Sequence, residues 1–208
     1  MIKVEVEHRG HLSQEKFDEL TNLFRQKGAF LGTKKRFSLI YSTGTEEARD
    51  LKDETIDLRL RITNKQPEIV MKYGKWGGKD ARKEYEFKLE NGKYDDFIGF
   101  LKILGYTKYA LMANTKYDYR YKDIIFSLVK VPGWGYYFEA EIMADEDEIE
   151  KSDKQLEAEI ESLGLKVASE EEYYDLLNSM NTLADRHIDL EQTDFATIKA
   201  KYIDYFED

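Results

Sequence analysis

Hydrophobic and polar positions alternate with period two over several short stretches of the chain, the pattern of strands with one buried and one polar face. In Lys3-Val4-Glu5-Val6-Glu7-His8-Arg9 the parity sets Val4 and Val6 on one side and Glu5, Glu7 and Arg9 on the other. Arg82-Lys83-Glu84-Tyr85-Glu86 repeats the device with Arg82, Glu84 and Glu86 in register, and Phe138-Glu139-Ala140-Glu141-Ile142 with Glu139 and Glu141. Leu58-Arg59-Leu60-Arg61-Ile62 alternates the opposite charge. A sheet with one solvated face accounts for any one of these strands. Taken together, six glutamates sorted by sign onto dedicated strands exceed what solubility requires.

Further strands are predicted at Lys34–Thr43, Asp57–Thr63, Glu68–Tyr73, Arg82–Leu89, Tyr109–Tyr121, Ile124–Val131 and Tyr136–Met143. Ser13 caps a predicted helix over Gln14–Lys27, with Phe17, Leu20 and Phe24 on its apolar face and Gly28 at its end. A second helix over Tyr94–Leu104 carries the stripe Phe97, Leu101 and Leu104 before Gly105. Beyond Ala144 the chain turns acidic and helical. Leu156, Ile160 and Leu163 form one stripe, and Ser169 with Glu172 forms a capping box ahead of Tyr173, Leu176 and Leu177. Phe195, Ile198, Tyr202 and Tyr205 or Phe206 mark a last amphipathic helix, open to packing on the sheet, plugging one end or joining two chains as a homodimer.

The connections carry weaker signals. Thr45–Thr55 reads as a charged, solvated loop. Gly74-Lys75-Trp76-Gly77-Gly78-Lys79 lacks the spacing of a phosphate-binding loop, and its Trp76 either stacks on a substrate base or shields the end of the sheet. Trp134, in the turn Pro132–Gly135, is read as turn packing. His8 is read as facing outward, and His8, His11 and His187 lack zinc-site spacing.

Composition narrows the chemistry. A length of 208 residues suits one domain with at most a short appendage. With 36% charged residues and no long apolar run, a membrane span and a signal peptide are not expected, and the expected location is cytoplasmic. A net charge of −10 argues against general nucleic-acid binding. The lack of cysteine excludes disulfides and thiolate sites, leaving carboxylates as the multi-residue metal ligands and hard cations as their partners.

The opening Glu-x-Glu-x-basic motif, Leu58–Arg61, Arg82–Glu86 and Gly135–Glu141 resemble, in this order, the CYTH family of triphosphate tunnel metalloenzymes. That family includes class IV adenylyl cyclases, thiamine triphosphatases and inorganic triphosphatases. The resemblance implies an α+β fold: an eight-stranded antiparallel β-barrel, open at both ends, with flanking helices. It runs to about residue 180, so residues 1–183 are expected to form the tunnel domain and 184–208 a helical extension.

If the charged faces point inward, Glu5, Glu7, Glu84, Glu86, Glu139 and Glu141 crowd together and call for divalent metal, Mg²⁺ or Mn²⁺. Arg59, Arg61, Lys72, Arg82, Lys116 and Arg120 are then the expected contacts to a small-molecule triphosphate, and Glu5, Glu7 and Arg9 the expected catalytic set. The expected activity is hydrolysis of inorganic triphosphate or of a nucleoside or organic triphosphate. A class IV adenylyl cyclase and a non-catalytic triphosphate-binding module are the alternatives. Against the family pattern, Arg9 replaces a lysine, Lys116 an arginine, and Ser42 and Val129 aspartates. An arginine clamps phosphate but does not give up a proton.

Overall fold

The computed structural model describes residues 3–42, 56–73, 83–90, 92–181, 183 and 186–206. In chain order the elements are β1 (Lys3–Leu12), α1 (Gln14–Lys27), β2 (Ala29–Ser42), β3 (Ile56–Thr63), β4 (Gln66–Tyr73), β5 (Lys83–Lys88), α2 (Lys93–Ile103) and β6 (Lys108–Tyr121). They continue with β7 (Ile124–Val131), β8 (Gly135–Asp145), α3 (Ile149–Ser162), α4 (Glu170–Asn181), β9 (His187–Asp189) and α5 (Phe195–Lys201). The fold is α+β. Nine strands form one sheet in the order β1-β8-β7-β6-β2-β3-β4-β5, with β9 beside β6, and β1 and β5 are its two ends among the described residues.

The chain divides into two compact units, residues 1–34 with 115–177 and residues 35–114 with 178–208. In the first, β1, β8, β7 and the second half of β6 pair antiparallel. Their apolar face is Val6, Phe126, Leu128, Phe138 and Ala140, and it buries Phe17, Leu20 and Phe24 of α1 together with Leu156 and Ile160 of α3. The expected caps hold this layer in place. Lys16 N donates to Ser13 Oγ at 3.1 Å, and Gly28 N closes α1 on Phe24 O at 2.9 Å. At α4 the capping box forms in both directions, Ser169 N to Glu172 Oε2 and Glu172 N to Ser169 Oγ.

In the second unit β2, β3, β4 and β5 pair antiparallel in sequence order. Asn64 and Lys65 both have positive φ, 48° and 68°, as the two-residue turn between β3 and β4 requires. Phe37, Leu39, Leu60 and Ile62 pack against Tyr94, Ile98 and Leu101 of α2 and Ile198 of α5. Phe195, Tyr202, Tyr205 and Phe206 join that core, so the final segment packs on this unit.

Two expectations need correction. The buried stripe of α2 is Tyr94, Ile98 and Leu101, while Leu104, the residue after the helix, is 56% exposed. The helix begins and ends one residue earlier than its apolar pattern suggests, so Leu104 is its C-cap, followed by Gly105 with φ of 87°. β2 starts at Ala29, not at Lys34, because Phe30 and Leu31 extend the strand while staying exposed and so break the alternation. The readings of Thr45–Thr55 and of Gly74–Lys79 with Trp76 lie outside the described residues.

Candidate functional site

On the first unit, the side of the sheet away from α1 and α3 is charged because strand parity puts it there. The β1–β8 register sets Glu7 opposite Glu141 and Arg9 opposite Glu139, and partners across antiparallel strands share a face. Register then carries the face through Ser127 on β7 to Asp118 on β6, and through Tyr137 and Val129 to Lys116.

Arg9 is the centre of this face. Its Nε and Nη2 donate to the two carboxylate oxygens of Glu7 at 2.8 and 2.7 Å, and Nε lies 3.5 Å from Glu139. Its Nη1 donates to Tyr173 Oη on α4 at 2.8 Å, with the guanidinium carbon 5.2 Å from that ring's centroid. Lys116 pairs with Glu139 from the other side. Asp118, nearly buried, accepts from Ser127 Oγ at 2.7 Å and pairs with Lys34 at 2.7 Å.

Acids outnumber bases around Arg9, and the ionisation of the glutamates shows it. Burial, then the charges of Glu5 and Glu7, push Glu141 up to about 7, with Lys116 only partly offsetting them. Glu7 is raised by burial and by Glu139 and Glu5, although Arg9 opposes the shift. Burial works against the charge on Arg9, yet Tyr173, Glu7 and Glu139 more than compensate and hold it well above the ordinary arginine range. The adjoining Tyr137 phenol is raised by burial and by Glu139.

The second unit carries its own charged face. Arg59 forks onto Asp57 at 2.9 and 2.5 Å, and Asp57 is only 2% exposed. Arg61 donates to Glu68 at 2.5 Å and to Glu86 at 2.8 Å, and Thr63 Oγ1 donates to the same Glu68 oxygen at 2.6 Å. Burial pushes Glu68 up, but these donors outweigh it and leave its carboxyl below the ordinary value. Backbone register places Lys72 opposite Asp57 on one side and Glu84 on the other.

The expected site residues therefore divide. Glu5, Glu7, Arg9, Lys116, Glu139 and Glu141 belong to the first unit, with Glu5 itself exposed. Arg120 shares their parity, opposite Ile125, but is exposed. Arg59, Arg61 and Glu86 form the network of the second unit, where Lys72 and Glu84 occupy strand positions. Arg82 lies outside the described residues. Arg59 and Arg61 are not idle cations, since each is already matched to a carboxylate.

Asp57, Glu68, Asp118 and Tyr173 carry these networks without being among the expected site residues. Asp57 and Asp118 share the parity of Arg59 and Lys116 on their own strands and Glu68 that of Lys72 on β4, so alternation alone flags them. Tyr173 comes from a helix remote in sequence, and nothing in the strand pattern points to it. At the positions where the family resemblance expects aspartates, Val129 is fully buried and Ser42 stands opposite Asp57.

The CYTH domain family model matches residues 3–174. Among solved structures, the PH1819 protein of Pyrococcus horikoshii OT3 is 24% identical with a TM-score of 0.65, covering 84% of this chain and 98% of its own. HpAC1 from Hippeastrum, described as a candidate adenylyl cyclase with a dominant triphosphatase activity, is 17% identical with a TM-score of 0.59, covering 88% and 98%. A candidate adenylate cyclase of Vibrio parahaemolyticus is 18% identical with a TM-score of 0.59, covering 86% and 99%. At such identities the likeness carries the fold alone. A search of curated proteins finds no match.

Proposed function

Since this chain belongs to the CYTH domain family, we propose that it hydrolyses inorganic triphosphate or a nucleoside or organic triphosphate with the help of a divalent cation, in the eight-stranded tunnel that its family resemblance implies. One observation carries the reading: among the described residues Glu5, Glu7, Glu139 and Glu141 share one face with Arg9 and Lys116, and burial with the charges of Glu5 and Glu7 pushes Glu141 up to about 7. A carboxylate set of this kind fits Mg²⁺ or Mn²⁺, which prefer a few carboxylates with phosphate and water. Bound there, the ion would neutralise phosphate charge and activate water for attack.

The side chains do the rest. Glu5, Glu7, Glu139 and Glu141 would hold the cation, and the family resemblance adds Glu84 and Glu86. Arg9, locked in its charged form, cannot act as a base and instead anchors phosphate oxygens, positioned by Glu7 and Tyr173. Lys116 offers a single-point contact where a guanidinium would offer two. The family resemblance adds Arg59, Arg61, Lys72, Arg82 and Arg120 as the remaining phosphate contacts. Asp57 and Glu68 hold Arg59 and Arg61 oriented before the ligand arrives.

The test offers tripolyphosphate and ATP separately with Mg²⁺ or Mn²⁺. Phosphate release that stops on metal chelation supports the reading. Cyclic AMP with pyrophosphate from ATP would replace it with the cyclase reading, and tight binding without turnover with that of a binding module.

A further inference from the structure

The face of β1 opposite Glu7 and Arg9 carries a second constellation that the proposed function does not use. His8 has the parity of Val6 and turns toward α3, where Asp153 and Glu157 stand four residues apart on one side of the helix. Its Nε2 lies 2.9 Å from Asp153 Oδ1 and 3.9 Å from Glu157 Oε1, and one ligand atom from each of the three residues lies within 4.8 Å of the others.

The histidine supplies an independent indication. Its side chain is 10% exposed, and its Nε2 is buried without making a hydrogen bond, although Asp153 is close. Asp153 Oδ1 stands within ion-pair distance of that nitrogen, yet the two make no hydrogen bond of ordinary geometry. Oxygens beside an imidazole in a metal's coordination shell stand in this relation, because the ring's lone pair is aimed at the metal between them.

We propose that His8, Asp153 and Glu157 form a binding site for a borderline divalent cation of the Zn²⁺ class, separate from the acidic face that serves the triphosphate. One imidazole nitrogen and two carboxylate oxygens make a three-ligand set that leaves the fourth tetrahedral position to water. Imidazole selects Zn²⁺, Co²⁺ or Ni²⁺ over Mg²⁺, which takes oxygen ligands almost exclusively. The ion would staple α3 to β1 directly behind Glu7 and Arg9, and so fix the strand from which those side chains project. No histidine spacing announces such a site, because its ligands come from a strand and a helix that meet only in the folded chain.

Zn²⁺ binding is measured by titration calorimetry on the full chain carrying Glu139→Gln and Glu141→Gln, which removes two of the competing glutamates of the acidic face. The site predicts one Zn²⁺ per chain at micromolar affinity, a rise in Tm on adding Zn²⁺ but not Mg²⁺, and a Co²⁺ complex with visible absorption. Adding His8→Gln or, in a separate variant, Asp153→Asn should weaken the affinity by about tenfold or more and abolish the Zn²⁺-dependent rise in Tm, by analogy with the losses seen when a site's support is removed. Circular dichroism identifies folded variants. Failure of the parent variant to take up Zn²⁺, or unchanged uptake in both folded single-ligand variants, would overturn the proposal.

Discussion

Arg9 donates from Nε and Nη2 to both carboxylate oxygens of Glu7, two residues earlier on the same strand, while its Nη1 is held by the hydroxyl of Tyr173. A guanidinium fixed at three points is aimed before any ligand arrives, which lowers the entropy cost of the contacts it then makes. Removing the Tyr173 hydroxyl costs Arg9 one hydrogen bond of about 1 kcal/mol. Tyr173→Phe is therefore expected to raise KM for the triphosphate about fivefold with little loss of stability. Arg9→Met removes the charge itself and should weaken binding about ten- to a hundredfold. Steady-state kinetics on both variants, with melting curves alongside, check the pair.

The Asp57–Arg59 fork predicts an effect on stability. Asp57 is nearly enclosed, and its replacement would take away the carboxylate onto which Arg59 forks. Asp57→Asn is expected to destabilise the fold by about 3 kcal/mol, the scale for breaking a buried pair from one side. The midpoint of urea unfolding measures it, and an unshifted midpoint would mean that Arg59 finds another partner at no cost.

The pH dependence follows from Glu141. Its carboxyl ionises at about 7 in the folded chain against an ordinary 4.5, so the folded state holds the proton more tightly than the unfolded state. Its contribution to stability is fully present below pH 4.5 and is lost as pH rises through 7. The metal-free protein should lose Tm over that window, and Glu141→Gln should flatten the loss. Added Mn²⁺ should restore Tm at pH 7.5 and release protons on binding.

Gly10 tests how closely the segment after α3 covers β1. A β-carbon there would collide with the backbone oxygen of Lys166 and come within 2.6 Å of the Phe138 ring, while Ala168 N donates to Arg9 O at 2.8 Å. Gly10→Ala is expected to cost about 1–3 kcal/mol through overpacking. It should also raise KM, because the displaced backbone belongs to the strand that carries Arg9. Denaturation and kinetics on this variant read both effects.

Much of this was legible in the sequence where one strong local signal acted. The alternation in β1 and β8 gave the face bearing Glu7, Arg9, Glu139 and Glu141, and Ser13 and Gly28 gave the limits of α1. At α2 the stripe holds for Leu101 and the partly buried Phe97 but overruns at Leu104, which lies past the helix end, and tertiary contact adds Tyr94 and Ile98. Pairings across the fold were beyond reach for a different reason. Tyr173 on Arg9, Lys34 on Asp118 and Asp153 on His8 join residues far apart in sequence, and no local periodicity encodes such contacts. The division of the expected glutamates between two compact units was equally hidden, since parity fixes a side chain's face but not its neighbours.

The central claim is that the acidic face takes a divalent cation together with a triphosphate. Titration of Mn²⁺, followed by its electron paramagnetic resonance, tests this most directly when done with and without tripolyphosphate on the native chain and on Glu139→Gln/Glu141→Gln. Binding linkage requires that each ligand tighten the other equally. The account predicts that tripolyphosphate tightens Mn²⁺ binding to the native chain by about tenfold or more, and that the double variant loses both the affinity and the coupling. Equal Mn²⁺ binding by the two proteins, or no change on adding tripolyphosphate, would contradict it.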